Sequence, residues 1–344
     1  MRCSLFLTLS FSTPLLHAQS QSVPGWPVEA KTIQVVSTAD NSPQPSIAWL
    51  PADDGQARPL LVGLHTWSGD YRQSSNGPTF LRWAMQHGWH FVAPNFRGAN
   101  HTPAALGSDL AVQDIVDAVN FMKKNATVDA DRVYLIGASG GGHMSLLMAG
   151  RHPEIWAGVS AWVGIADLET WHGEHVKAGK PDKYARDIEG ALGGPPDSPE
   201  RIKDAHQRSP QTWLAAASSV ALDINHGVHD GRAGSVPFRH SLLAFNSVVG
   251  EADRLPVAQI HEFYDTQKLP AGWPAATPDP LYEGKPVVFR KVSGKTRITI
   301  FDGGHEILYL PSLNWLAQQR RGKPVVWTVE KPDPISSANT KSGL

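Results

Sequence analysis

The sequence of 344 residues predicts an α/β fold with a mostly parallel central sheet and helices on both faces of that sheet. Two observations favour this fold class. Strand-like and helix-like stretches alternate along the chain, and this order of elements produces parallel sheets. The run LLVGL at 60–64 is apolar throughout, which is typical of a strand whose sheet is covered by helices on both sides.

The predicted elements follow one another from residue 32. In chain order they are strands at 32–36, 47–50 and 60–64, a helix near 80–87, a strand at 89–93, a helix at 109–124, a strand at 133–136, a helix at 144–149, and strands at 156–163, 220–224 and 297–301. The helix at 109–124 is the clearest because its apolar residues recur at helical spacing, and Ser108 offers a capping oxygen at its start.

The first 18 residues resemble a signal peptide. Arg2 supplies a positive end, Leu5–Leu16 is largely apolar, and the sequence ending at Ala18 resembles a small-residue cleavage site. This pattern predicts a secreted or periplasmic protein, and a buried N-terminal strand or helix is the alternative. The run is shorter than the ~20 apolar residues of a spanning helix, so we expect no stable membrane insertion.

We interpret residues 31–330 as a single domain. A polar, proline-rich lead-in at 19–30 precedes it, and a flexible tail at 331–344 follows it. Two polar stretches, 165–215 and 251–290, are predicted to be insertions that lie over the active site rather than separate domains.

Charge and cysteine content exclude several classes of function. The net charge of −1 lacks the basic excess of a nucleic-acid-binding protein. The only cysteine is Cys3, which removal of the signal peptide would take away. The mature chain would then have no disulfide, no cysteine nucleophile and no thiolate metal site, and we expect it to need no cofactor.

The pentapeptide GASGG at 137–141 predicts a nucleophilic serine, Ser139. It fits the pattern G-x-S-x-G, in which a sharp turn between a strand and a helix projects the serine hydroxyl into a cleft. A glycine-rich loop that binds phosphate is the alternative. The pentapeptide lacks both the G-x-G-x-x-G order of dinucleotide loops and the Gly-Lys-Ser/Thr ending of a P-loop.

A serine nucleophile needs a base and an acid from other loops. His305 is the predicted base, because it follows the strand at 297–301 across a turn, where such folds collect active groups. Asp230 is the predicted acid, in the loop after the strand at 220–224, and Asp253 is the spare candidate. A capping or surface role is the alternative for His305.

The region of Asp230 admits a second interpretation, as a metal site. His226, His229 and Asp230 are spaced as metal ligands can be, although no further ligand can be identified. We therefore predict no metal.

An oxyanion hole requires two N–H donors beside the nucleophile. Gly140 directly follows Ser139 and supplies the first donor. The second is expected from the loop after the strand at 60–64, where Trp67 is the first choice and Thr66 the alternative.

Taken together, these residues resemble the α/β-hydrolase superfamily and, within it, the catalytic domain of the prolyl oligopeptidase family. The resemblance covers roughly residues 59–316. Five stretches carry it: NFRG at 95–98, QDIVDA at 113–118, VDADRV at 128–133, SP at 209–210, and the loop from His226-Gly227 through Asp230 to Val236-Pro237. By position in these motifs, the resemblance implies a triad of Ser139, Asp230 and His305.

The chain also departs from the family pattern. It leaves no room for the β-propeller that precedes this domain in the large peptidases, and it has His65-Thr66-Trp67 where these hydrolases usually have His-Gly. The interval from Asp230 to His305 is longer than usual. These departures argue against peptidase activity but not against the triad.

The resemblance implies a carboxylesterase that acts through an acyl-enzyme. The expected substrate is a small-molecule or polysaccharide-linked ester, which the 12 tryptophans would suit. A serine peptidase of the prolyl oligopeptidase type is the alternative, and a binding module without catalysis is a third possibility. The sequence does not predict the oligomeric state.

Overall fold

The computed structural model describes residues 23–331, and these residues fold around a nine-stranded sheet. The predicted signal peptide at 1–18 lies outside the described residues, as do residues 19–22 of the lead-in and 332–344 of the tail. No helix within the described part combines the length and the apolar composition that crossing a bilayer requires.

The sheet is parallel through its centre and antiparallel at its edges. The strands are β1 (Lys31–Val36), β2 (Pro43–Trp49), β3 (Arg58–Leu64), β4 (His90–Pro94), β5 (Val128–Ala138), β6 (Gly158–Trp162), β7 (Val176–Lys177), β8 (Lys180–Pro181), β9 (Leu222–Gly227), β10 (Val287–Ser293) and β11 (Thr296–Phe301). Their spatial order is β1-β2-β4-β3-β5-β6-β9-β11-β10, and β7 and β8 form a separate hairpin. The six central strands of this order are parallel to one another: β4, β3, β5, β6, β9 and β11.

Helices cover both faces of the sheet. They are α1 (Gly77–Gln86), α2 (Asp109–Asn125), α3 (Gly140–Arg151), α4 (Leu168–Glu174), α5 (Lys183–Leu192), α6 (Pro199–Gln207), α7 (Arg239–Val248), α8 (Val257–Thr266) and α9 (Tyr309–Ala317). One apolar core joins the sheet to α2, α3, α7 and α8, and a second joins the opposite face to α1 and α9. The predicted fold class is confirmed, and each predicted element is present within a few residues of its expected bounds.

The strand β10 was not predicted from the sequence. Its residues were assigned partly to the insertion at 251–290, yet they pair antiparallel with β11 at the edge of the sheet. An edge strand keeps one side toward solvent, and β10 accordingly mixes buried with half-buried and exposed positions. Its short apolar signal was therefore hidden among charged residues.

Residues 165–215 contain more regular structure than their polar composition suggested. They hold α4, α5, α6 and the β7–β8 hairpin. Helix α5 buries only Ala185, Ile188, Ala191 and Leu192, so its apolar stripe is narrow and partly made of alanine. Ser209 links the end of this segment to the start of α4 and to α6, because its hydroxyl accepts a hydrogen bond from Leu168 N at 2.9 Å and donates one to Ala205 O at 2.7 Å.

The motif residues Arg97 and Asp114 form a buried ion pair beside the sheet. Arg97 Nε lies 2.7 Å from Asp114 Oδ2, and Arg97 Nη2 lies 3.0 Å from Asp114 Oδ1. Phe96 and Arg97 both have positive φ, so the chain turns sharply here, and the bidentate pair ties that turn to α2. The NFRG and QDIVDA stretches thus stabilise each other.

Packing between α3 and β6 should make Gly142 intolerant of a side chain. A Cβ on Gly142 would overlap the carbonyl oxygen of Trp162 and lie 3.1 Å from Gly164 Cα. We expect Gly142→Ala to lower the free energy of unfolding by about 1–3 kcal/mol, measured by urea denaturation. Gly173→Ala is the matched control, because Gly173 is also helical but has nothing within 4 Å of its Cβ position, and it should gain about 0.5–1 kcal/mol. Equal stability of the two variants would contradict this packing.

Candidate active site

Ser139 lies on a sharp turn between β5, which ends at Ala138, and α3, which begins at Gly140. Its backbone has φ 59° and ψ −121°, a conformation that is strained for any residue with a side chain. Gly137 and Gly141 permit this turn, because a Cβ on Gly137 would overlap the carbonyl oxygen of Gly141. The structure therefore has the geometry expected of a nucleophile elbow, with Ser139 half-buried at its tip.

His305 and Asp230 are joined by a short hydrogen bond. His305 Nδ1 lies 2.6 Å from Asp230 Oδ2. A carboxylate can only accept, so Nδ1 carries the proton and Nε2 is the basic nitrogen. Within the described residues Nε2 has no hydrogen-bond partner, Ser139 included. In serine hydrolases without substrate the bond between base and nucleophile is often long and tightens when substrate binds.

The three residues lie at one edge of the sheet, because β5, β9 and β11 are parallel and each residue follows the carboxyl end of one of them. The acid and base loops are also joined through their backbones. Val228 N donates to Phe301 O at 2.9 Å, and His229 N donates to Gly303 O at 3.0 Å. These bonds continue the β9–β11 pairing beyond the strands and hold Asp230 opposite His305.

Asp230 is fully buried and accepts hydrogen bonds on both oxygens. Oδ1 accepts from Gly231 N at 2.9 Å and from Val236 N at 3.2 Å, and Oδ2 accepts from both His305 and His226. Burial by itself would raise the pKa of Asp230, but the hydrogen bonds from the two histidines outweigh it and hold the pKa below its usual range. The carboxylate therefore stays ionised where a histidine base operates.

His226 is a second imidazole bound to Asp230. Its Nε2 lies 2.9 Å from Asp230 Oδ2 and 3.1 Å from Val236 O, and its Nδ1 lies 2.7 Å from Ser241 Oγ. Both partners of Nε2 are acceptors, so Nε2 carries the proton and Nδ1 accepts from the serine hydroxyl. Complete burial is the largest influence on the pKa of His226 and lowers it, so the ring is neutral.

The other candidates near Asp230 face elsewhere. His229 Nε2 lies 2.7 Å from Asp302 Oδ1 in an exposed pair, so His229 does not join His226 and Asp230 as the metal interpretation required. Among residues 23–331 no group of three or more potential ligands is arranged to hold a metal. The spare acid Asp253 accepts a hydrogen bond from Ser293, at 2.6 Å, and makes none with His305.

The backbone of Trp67 lies against Gly140. A Cβ on Gly140 would be 2.5 Å from both N and Cα of Trp67. The Thr66 N–H already donates to Gln73 Oε1 at 2.9 Å, whereas the Trp67 N–H has no acceptor within the described residues. This geometry favours Trp67 over Thr66 as the second oxyanion donor, beside the N–H of Gly140.

The Trp67 side chain anchors the segment at 165–215. Trp67 Nε1 donates to Asp187 Oδ2 of α5 at 2.9 Å, and the indole ring packs edge-on against Trp171 of α4, with centroids 4.6 Å apart. Lys183 of α5 also joins this helix to the Trp67 loop, because its Nζ lies 2.6 Å from Asp187 Oδ2 and 2.9 Å from Ser68 Oγ. The loop that carries the predicted oxyanion donor is therefore held in place by the segment at 165–215.

A cavity of about 740 Å³ opens beside His305. Its walls come from the α4–α5 region, the acid loop, α7 and α8, and they include Tyr184 and Tyr264. Among the residues that the structure describes, the carboxylates that line it are Glu174 and Asp182. The cavity is large enough for a small organic acyl or alcohol group.

Sequence reasoning missed three residues of this site: His226 as a hydrogen-bond donor to Asp230, Asp187 as the partner of Trp67, and Asn100, whose amide lies near Gly140. The sequence indicates His226, because this residue starts the acid-loop motif, but only as a potential metal ligand. No sequence pattern indicates Asp187 or Asn100, since each meets its partner only through tertiary packing.

A family model and individual relatives match this chain. The model described as "Prolyl oligopeptidase family" matches residues 79–260. Feruloyl esterase B of Neurospora crassa is 30% identical over 173 residues, which cover 48% of this chain and 55% of the fungal enzyme. Dipeptidyl aminopeptidase BIII of Pseudoxanthomonas mexicana is 29% identical over 164 residues, which cover 43% of this chain and 23% of that enzyme.

Solved structures show the same fold. Prolyl oligopeptidase B from Galerina marginata aligns with a TM-score of 0.51 at 21% identity, covering 64% of this chain and 30% of that chain. A puromycin hydrolase aligns with a TM-score of 0.51 at 15% identity, covering 64% of this chain and 33% of that chain. The alignment with the fungal esterase spans about half of that enzyme, and the alignments with the peptidases span less.

Removing the His226 donor should change the pH dependence of the site. In His226→Leu, Asp230 would lose one of the hydrogen bonds that hold its pKa below the usual range, so it should become protonated at higher pH and the acid limb of kcat/KM should move to higher pH. His226→Gln is the control, because its amide can donate to Asp230 and accept from Ser241, and it should restore the wild-type profile. A profile unchanged in His226→Leu would show that His226 is only a packing residue.

Proposed function

Because the chain belongs to the prolyl oligopeptidase family of α/β-hydrolases and is therefore a serine hydrolase, we propose that it cleaves carboxylic esters with Ser139 as its nucleophile. The observation that carries this proposal is the buried Asp230–His305 pair at the sheet edge where the Ser139 turn also lies. It supplies an oriented base, His305, which lines a cavity.

The proposed reaction proceeds through an acyl-enzyme. Ser139 Oγ attacks the ester carbonyl carbon while its proton passes to His305 Nε2, and Asp230 stabilises the imidazolium. The N–H groups of Gly140 and Trp67 donate to the resulting oxyanion. When the tetrahedral intermediate collapses, the bond to the alcohol oxygen breaks and that oxygen takes the proton from His305. Water then repeats the sequence and releases the acid.

The charges around the cavity support an ester substrate over a peptide with a free amino terminus. An ammonium group is best bound by an unpaired carboxylate. Glu174 is already paired with Arg239 at 2.5 Å and with His240 at 3.1 Å, and Asp182 with His175 at 2.7 Å. Both carboxylates that line the cavity are therefore already hydrogen-bonded to basic side chains of the protein itself.

The relatives support the same choice. Two of the matched proteins are fungal enzymes named feruloyl esterase B, from Neurospora crassa and Thermothelomyces thermophilus. We propose an aromatic or sugar-linked acyl ester, either as a small molecule or attached to a polysaccharide, because Tyr184 and Tyr264 contribute aromatic side chains to the cavity wall. A serine peptidase is the second candidate, favoured by the match to the dipeptidyl aminopeptidase.

The nucleophile can be tested with two serine variants, one at the turn before α3 and one within α3. Ser139→Ala should lose ester hydrolysis on the order of 10⁶-fold in kcat and should no longer be labelled by a fluorophosphonate. Ser145→Ala is the matched control, because the Ser145 hydroxyl is buried in α3 and has no hydrogen-bond partner among residues 23–331, so its loss should leave rate and labelling unchanged. Labelling of Ser139→Ala at the wild-type level would refute the proposed nucleophile.

The substrate class can be tested by comparing kcat/KM on matched substrates with the same aromatic chromophore. We expect hydroxycinnamoyl esters to exceed aminoacyl and dipeptidyl anilides by roughly tenfold or more, which corresponds to ~1.4 kcal/mol in transition-state binding. The Ser139→Ala variant serves as the background for both series. A preference for the anilides would replace the esterase proposal with the peptidase.

A further inference from the structure

We infer that the side-chain amide of Asn100 is a third hydrogen-bond donor to the oxyanion, an inference that rests on the proposed serine hydrolase mechanism. Asn100 is 1% exposed, and its Nδ2 is buried without a hydrogen-bond partner in the part of the chain that the structure describes. Buried N–H groups are nearly always paired, so this one calls for an acceptor that arrives during the reaction.

The orientation of the amide is fixed by its other contacts. Leu106 N donates to Asn100 Oδ1 at 3.0 Å, which identifies the oxygen and places the NH₂ group on the opposite side. The Asn100 backbone N–H donates to Trp67 O at 2.9 Å. The Asn100 backbone therefore holds the Trp67 loop through a hydrogen bond, while the side-chain NH₂ group has no acceptor among the described residues.

The loop that carries Leu106, the donor to Asn100 Oδ1, is itself held firmly. Arg208 Nη1 lies 3.1 Å from Pro103 O and 3.0 Å from Ala105 O, so it fixes the carbonyl groups next to Leu106. The Arg208 side chain also pairs with Asp204 at 2.7 Å. With both ends constrained, the Asn100 amide has little freedom to turn toward another acceptor.

The free NH₂ group faces the predicted oxyanion donors. A Cβ on Gly140 would be 3.0 Å from Asn100 Nδ2 and 2.5 Å from Trp67 N. Two donor nitrogens, Asn100 Nδ2 and Trp67 N, thus lie close together where residue 140 has no side chain. When Ser139 Oγ bonds to the carbonyl carbon, the carbonyl electron pair moves onto oxygen, and this oxygen becomes the acceptor that Nδ2 lacks.

Two substitutions remove the amide donor. Asn100→Asp keeps an oxygen for Leu106 N but replaces the donor with a carboxylate oxygen, and Asn100→Ser removes both the NH₂ donor and the Oδ1 acceptor without adding charge. We expect kcat on an aryl ester to fall roughly 10²-fold or more in both variants, with KM changed less than about threefold. A trifluoromethyl ketone, which forms an oxyanion with the serine, should lose affinity by a similar factor, whereas binding of the acid product should not.

Arg208→Met is the control for bracing, because it loosens the loop without touching the Asn100 amide. It should lower Tm while leaving the ratio of ketone to product affinity at the wild-type value. Wild-type kcat in Asn100→Ser, or an equal loss of ketone and product affinity, would overturn the inference. If the wild-type protein itself shows no Ser139-dependent ester hydrolysis, the proposed function fails instead, so the two failures are distinguishable.

Discussion

Close backbone packing around Ser139 is the constraint on which the rest of the site depends. A positive φ at a residue with a side chain is strained, so the surrounding structure must hold it in place. A Cβ on any of the three glycines that begin α3 would meet neighbouring backbone: on Gly140 it would overlap Trp67, on Gly141 it would lie 2.8 Å from His65 O, and on Gly142 it would overlap Trp162 O. The helix end can therefore approach the sheet closely, and this approach brings the Trp67 loop close to Ser139.

The second requirement is a buried negative charge beside the base. A carboxylate without water is stable only when hydrogen bonds replace its hydration. Asp230 has two backbone donors and two imidazole donors, and the neutral tautomer of His226 is fixed by Ser241. The result is an acid whose position and charge are set before substrate arrives, so that the orientation of His305 requires no rearrangement of the loop.

The segment at 165–215 contacts both the Trp67 loop and the cavity beside His305. Its helices α4 and α5 pack on the Trp67 ring, and its residues also form walls of the cavity beside His305. Asp187 and Trp171 thus hold the oxyanion loop, while Glu174 and Tyr184 face the space for substrate. A change in this segment can alter both specificity and the position of an oxyanion donor, because one small apolar cluster supports both.

The sequence by itself determined the fold class, the succession of strands and helices along the chain, and the turn at Ser139. Each of these depends on local patterns: apolar runs, helical spacing and glycines flanking Ser139. It also selected Asp230 and His305, since both follow strands in a family order of motifs. It missed the edge strand β10, whose pattern is half polar, and the role of His226. The contacts of Asn100 and Asp187 appear only in the tertiary structure, because they join segments that are distant in the chain. The sequence already ranks Trp67 before Thr66 as the second oxyanion donor, and the tertiary structure favours the same order because the Thr66 N–H is already occupied.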